Sequence, residues 1–263
     1  MTDPYDIPRL TETLRARKTV LVYEPQVIST MEIGAATGLQ STVVLTDHQT
    51  GGRGRYSRTW EDTPGDSMLA TFVKPVSPEA VERAGTLTVS QLCVLAVYLA
   101  IAKVAPAAAV KIRWPNDLTA DDRKLGGVLL MEGERTDAGQ SLLFGVGLNV
   151  HASTASDRYR ATDLDACGAN VSRSDLVLAI DAQIDALLPD VARLGDPAVW
   201  RHYDERWQAA SALLGRTIRI TDDVVTRGVV IGSPFGKNLQ LRLGDGSIME
   251  VTSYGHTAHL EIE

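Results

Sequence analysis

KLGGVLLMEGERTDAGQSLLFGVGLNV, residues 124–150, reads as a pair of strands, 124–132 and 142–150, with glycines at 126, 127, 145 and 147. Working towards the N-terminus, residues 110–113 form a short strand that ends at the motif RWPND, 113–117. Ser77-Pro78-Glu79 is a helix-start signal: serine caps, proline suits the first turn, and glutamate complements the positive end of the dipole. A long apolar helix is expected from there to about Val104. Strands are expected at 67–74, 42–46 and 20–23, with a short helix after Ser29-Thr30 that stops near Gly38. Residues 1–18, polar with Pro4 and Pro8, read as a short arm.

Towards the C-terminus, Leu176, Val177, Ile180, Ile184, Leu187 and Leu188 recur at helical spacing, and a second helix is expected over 198–213. The pattern then changes to short strands at 217–221, 226–231, 239–243, 248–253 and 256–262, with Gly244-Asp245-Gly246 as a tight turn. The fold class expected is α+β, a mixed sheet with flanking helices on one side, followed by a small β-barrel. The boundary falls near Leu214, dividing the chain into 1–214 and 215–263.

Composition narrows the function. The chain has 263 residues, enough for a sizeable core, with 26 Lys and Arg against 33 Asp and Glu. A net charge of −7 argues against a protein that coats nucleic acid, because that affinity comes from phosphate neutralisation. No run approaches the ~20 uninterrupted apolar residues of a membrane span; residues 92–104 are interrupted by Tyr98 and Lys103. The start, MTDPYD, lacks the regions of a signal peptide. The two cysteines, Cys93 and Cys167, form no CxxC, which fits a reducing cytoplasm. His256 and His259 have no acidic or cysteine companion nearby and read as surface β-structure.

Four motifs carry chemistry. In QTGGRGR, 49–55, followed by Arg58 and Trp60, glycines let the backbone fold closely around a ligand and arginines offer fork-shaped donors to an anion. A flexible basic loop explains it equally well. RWPND presents Asn116 and Asp117 at a strand end; Asp117 suits magnesium or an incoming amine, though Pro, Asn and Asp also make ordinary turns. KLGG, 124–127, sets an ammonium beside bare backbone N–H groups; a solvated lysine is the plain alternative. GVGLN, 145–149, puts an amide at a strand end and is not the GxGxxG dinucleotide fingerprint.

Taken in order, Ser29-Thr30, QTGGRGR, RWPND, KLGG and GVGLN resemble biotin protein ligases over residues 29–149. The resemblance continues more weakly through ATDL, 161–164, and LLGR, 213–216. It implies a catalytic domain like that of the class II aminoacyl-tRNA synthetases, followed by an SH3-like domain. It implies a biotin–[acetyl-CoA-carboxylase] ligase that makes biotinyl-5′-AMP from biotin and ATP with Mg2+, then biotinylates a lysine of a biotin carboxyl carrier domain. Carried over residue by residue, Lys124, Arg53, Arg55 and Asp117 are catalytic. Biotin is held by Ser29, Thr30, Gln49, Gly52, Arg53, Trp60, Lys124, Gly126 and Gly127. The nucleotide is held by Arg55, Arg58, Trp60, Asn116 and Asn149, and Asp117 with Asn149 would take the magnesium. The chain departs from the family at Arg113 (usually Lys), Gly51 (usually Ala), Met31 (usually Asn), Tyr56-Ser57, and one of Gly126 and Gly127.

With 28 residues before Ser29 there is no room for a winged helix, so the chain resembles the ligase-only class, with no DNA or membrane partner expected. A homodimer is compatible with the sequence. A lipoate or octanoate ligase of the same superfamily is the first rival, which competition between acyl substrates would resolve. A non-catalytic biotin- or adenylate-binding regulator is the second, and it would show no pyrophosphate exchange. Gly51, Gly52 and Gly54, with three arginines that repel one another, predict a loop that orders on binding an anion. Trypsin should therefore cut at Arg53, Arg55 and Arg58 rapidly in the free protein and slowly with biotin and ATP; equal rates would mean a preformed loop.

Overall fold

The computed structural model describes residues 3–151, 161–221, 225–252 and 259–263. The expected N-terminal arm is instead a helix, α1 (Ile7–Ala16). Asp6 caps it by accepting from the Arg9 backbone N–H, and Leu10 and Leu14, one turn apart, are buried. Two leucines in a polar stretch were too few to show their helical spacing before a partner surface was known.

Strand β1 (Val20–Val27) runs parallel to β2 (Thr42–Gln49), and α2 (Thr30–Ala35) lies in the crossover that such a pair requires. Next come β3 (Ser67–Val76), α3 (Pro78–Ala84) and α4 (Thr86–Val104). One continuous helix was expected here. Gly85, at φ +81°, breaks it in two, a conformation that costs glycine little. Helix α4 is long and apolar enough to cross a membrane, but it packs along the sheet and a later helix as the core helix of the body.

The sheet continues with β4 (Lys111–Arg113), β5 (Asp117–Ala120), β6 (Arg123–Thr136) and β7 (Gly139–Asn149). The order is β1-β2-β3-β7-β6-β5-β4, antiparallel apart from the first pair. β6 and β7 are the expected strand pair. Asp117, read as a strand-end residue, starts β5 and sits opposite Arg113 in a tight hairpin. Four residues are too few for alternation to reveal such a strand.

Alternation divides the sheet into two faces. Met68, Ala70 and Phe72 of β3, with Phe144, Val146 and Leu148 of β7, join the main core with α1, α4 and α5 (Arg173–Leu187). On the opposite face, Val73 and Leu143 form a smaller cluster with Met31 of α2. The helices therefore cover both sides, not one, although α2 covers only part of its face. Lys74, 2% exposed, points into the main core and meets Asp181 and Asp185 of α5, each at 2.7 Å. Arg17 completes the group at 3.1 Å from Asp181.

Helix α6 (Pro197–Ala210) leads into a five-stranded antiparallel sheet ordered β11-β10-β9-β8-β12. Its strands are β8 (Thr217–Thr221), β9 (Val225–Gly232), β10 (Leu239–Leu243), β11 (Ile248–Val251) and β12 (His259–Ile262). A small sheet of this kind is consistent with an SH3-like domain. Phe235, between β9 and β10, is fully buried against Trp200, Tyr203 and Trp207 of α6. Its backbone N–H donates to Asp204, and that of Gly236 donates to Gln91 of α4. His256 lies outside the described residues.

Replacing Lys74 with Met should destabilise the protein by about 3–5 kcal/mol, because the buried Asp181 loses its nearest cation. Urea unfolding measures this, and a change below ~1 kcal/mol would mean that Asp181 is neutral or hydrated.

Candidate active site

A cavity of about 790 Å³ opens on the sheet face that α2 leaves uncovered. Its floor is bare because Gly127 and Gly147 are cross-strand partners and Gly145 follows on the same face. A Cβ on Gly147 would lie 2.7 Å from the Trp60 ring, and one on Gly145 would lie 2.6 Å from Sδ of Met31. Only glycine lets these side chains come down onto the sheet.

At one end, Ser29 caps α2. The Thr30 backbone N–H and hydroxyl both donate to Oε1 of Gln49, at 2.9 and 3.1 Å. Thr71 donates to the Thr30 hydroxyl at 2.9 Å. These residues come from α2, β2 and β3, and the set offers hydroxyl and amide groups in a largely apolar setting.

At the other end, Asp117 is clamped between Nζ of Lys124 and Nη2 of Arg113, each at 2.9 Å. Burial pushes its carboxyl up, but the two cations more than offset this and hold it below the usual carboxylate range. Arg55 donates to Oδ1 of Asn116 at 3.3 Å and to the Tyr56 hydroxyl at 2.9 Å. The Asn116 amide in turn donates to the Val128 carbonyl at 3.0 Å. Nζ of Lys124 lies 5.8 Å from the Trp60 ring centroid. Residues 161–164 knit the wall together: Thr162 donates its N–H to the Lys124 carbonyl and accepts from the Asn149 amide, both at 2.9 Å.

Most of the residues singled out from the sequence border this cavity, including Arg58 and Trp60. Gly52 and Gly126 do not. A Cβ on Gly52 would strike the Trp60 carbonyl, and one on Gly126 the Gly147 carbonyl, so both permit close backbone packing. Arg53 is exposed and paired with Glu32 at 2.5 Å. Several wall residues had no sequence signal. Asp62 sits in a segment without a motif, and Ile220, Val251 and Leu260 come from the second sheet; Thr71, fully buried, supports Thr30 from β3.

Asp117 and Asn149, the expected magnesium ligands, are engaged by protein groups: each Asp117 oxygen meets a cation, and the Asn149 amide nitrogen donates to the Thr162 carbonyl. No cluster of three His, Cys, Asp or Glu that could hold a metal occurs among the described residues.

The fold and cavity together define the biotin protein ligase architecture. The structure superposes on the Aquifex aeolicus biotin protein ligase solved with biotin and ATP at a TM-score of 0.75, covering 92% of this chain and 99% of that one at 21% identity. Residues 25–149 match the model of the biotin/lipoate A/B protein ligase family. It is 29% identical over 138 residues to the bifunctional ligase/repressor BirA of Bacillus spizizenii, matching 40% of that protein's length and 50% of this chain. It is also 25% identical over 233 residues to the biotin–[acetyl-CoA-carboxylase] ligase of Mycobacterium tuberculosis, covering 82% of that protein and 86% of this chain.

Asp117→Asn should cost about 1–3 kcal/mol at neutral pH, since it leaves Lys124 and Arg113 without their shared anion. Because the native carboxyl titrates lower than the unfolded one, the clamp stabilises fully above about pH 5 and fades as pH falls through the native value. Wild type and variant should therefore converge in thermal stability once the pH has fallen below the native value. A gap that persists there would place the loss in packing and not in charge.

Proposed function

We propose that this chain is an ATP-dependent biotin–[acetyl-CoA-carboxylase] ligase. One observation carries the reading: a hydroxyl–amide group (Thr30 and Gln49, backed by the buried Thr71) and a cationic group (Arg55, Arg113, Lys124) share one glycine-floored cavity. The first end suits the uncharged ureido ring of biotin, and the second suits a carboxylate meeting a triphosphate.

In the first step a biotin carboxylate oxygen attacks the α-phosphorus of ATP. The bond from that phosphorus to the bridging oxygen breaks, and pyrophosphate leaves with the electron pair. Two anions must meet, so pre-held cations lower the barrier. Lys124 and Arg113 are already fixed by Asp117, and Arg55 by Asn116, so little reorganisation is needed. Magnesium bound to ATP would neutralise charge on its phosphates. In the second step the amine of a carrier lysine attacks the acyl carbon, the carbon–oxygen bond to phosphate breaks, and AMP leaves. Asp117, held in its charged form, is suited to orienting the incoming ammonium before it loses a proton. Trp60 and the loop beside it would shield the adenylate from water.

The biotin carboxyl carrier domain is the proposed partner. A cytoplasmic setting fits the unbridged cysteines, of which Cys93 is buried with its thiol pushed up by desolvation. The fate of pyrophosphate tests the reading. The protein should catalyse biotin-dependent pyrophosphate exchange, with lipoate and octanoate competing poorly. Lys124→Ala should lower that exchange by at least ~100-fold while unfolding normally. Near-normal exchange in the variant would sink the assignment, and preference for lipoate would move the chain to the lipoate side of its family.

A further inference from the structure

Two buried polar atoms in the wall of the cavity have no hydrogen-bond partner among the described residues: Nε1 of Trp60 and Oδ1 of Asp62. The Asp62 side chain is fully buried, and its Oδ2 is held by Nδ1 of His48 at 2.8 Å. Burial pushes this carboxyl up, and the His48 contact and the Gln49 backbone N–H offset only part of that rise. Leaving a buried acceptor unmatched is costly, and a ligand donor would recover that cost. His48, facing it from β2, braces one oxygen and leaves the other turned to its own surroundings.

Charge decides what that oxygen can meet. Arg55, Arg113 and Lys124 gather at the Asn116–Asp117 end, whereas Asp62 and Asp66 lie in the segment after Trp60. A carboxylate repels phosphate, so Asp62 must face a neutral, donor-bearing part of the ligand. The segment also runs beside the end of β7: Ser67 pairs with Asn149, and Asp66 accepts from the Val150 and His151 N–H groups. The Trp60 ring lies on Gly147, between Lys124 and this segment. A nucleotide with its phosphates at Lys124 and its nucleoside beyond Trp60 would lie along the segment that carries Asp62, which borders the same cavity.

We infer that Asp62, braced by His48, accepts a hydrogen bond from the nucleoside of the bound nucleotide, from a ribose hydroxyl or from the exocyclic amine of the base, and so sets nucleotide selectivity. This rests on the ligase reading and deepens it. Sites built to bind an OH or NH reject analogues that lack it, because the protein group is then left unpaired.

Calorimetric titration of the full chain with ATP, 2′-deoxy-ATP, 3′-deoxy-ATP and inosine triphosphate tests the inference and separates hydroxyl from amine. The wild type should bind at least one analogue ~10-fold or more weakly than ATP. In the near-isosteric Asp62→Asn that gap should narrow to below ~threefold, with biotin affinity unchanged. His48→Gln, which keeps Asp62 but removes its brace, should narrow the gap less. Selectivity that is the same in all three proteins would overturn the inference, as would a loss confined to biotin binding. A wild-type protein that binds no ATP would overturn the ligase reading as well, whereas ATP binding indifferent to Asp62 overturns this inference alone.

Discussion

The cavity depends on a stripe of sheet with no side chains. Gly127 faces Gly147 across β6 and β7, and Gly145 follows two residues earlier on the same face. Strand alternation gives those strands a second face, and there Phe144, Val146 and Leu148 pack without gaps against the helices. One pair of strands thus closes the core on one side and opens a trough on the other. Trp60 and Met31 come within the space a Cβ would take, so a single added methyl at Gly147 or Gly145 would disturb a wall of the site.

Charge placement is the second layer. Four cations that border the cavity are held by protein partners: Lys124 and Arg113 by Asp117, Arg55 by Asn116, and the exposed Arg53 by Glu32. Cations fixed beforehand need less reorganisation when an anion arrives, which is the condition for electrostatic catalysis. The clamp rests on the β4–β5 hairpin, where the register sets Arg113 opposite Asp117.

The far side of the sheet anchors these parts. Arg173, 1% exposed, reaches from the start of α5 to Asp47 at 2.8 Å and stacks on Tyr5 at 4.2 Å. Asp47 immediately precedes His48 and Gln49, so the end of β2 is pinned from behind while its next residues serve the cavity. Phe235, set into α6 as a plug, holds the second sheet where Ile220, Val251 and Leu260 complete the wall. Residues more than a hundred positions from the glycine stripe therefore help to enclose it.

Local chemistry made much of this legible in the sequence. Apolar runs with spaced glycines marked β6 and β7, a serine–proline–glutamate start marked α3, and clustered glycine, arginine and RWPND motifs marked segments that border the cavity. Short-range signals failed where structure is short or borrowed. β5 has four residues, α1 becomes a helix through two leucines that meet the core, and Gly85 divides what looked like one helix. The sequence by itself determined the longer strands and helices and which residue types could meet an anion, because propensity and side-chain chemistry travel with the residue. Only the tertiary structure decided that Asp117 is locked between two cations, that Gly52 and Gly126 serve backbone packing, and that one buried oxygen of Asp62 has no partner among the described residues. Burial and pairing depend on neighbours brought together across the chain, and no local pattern records them.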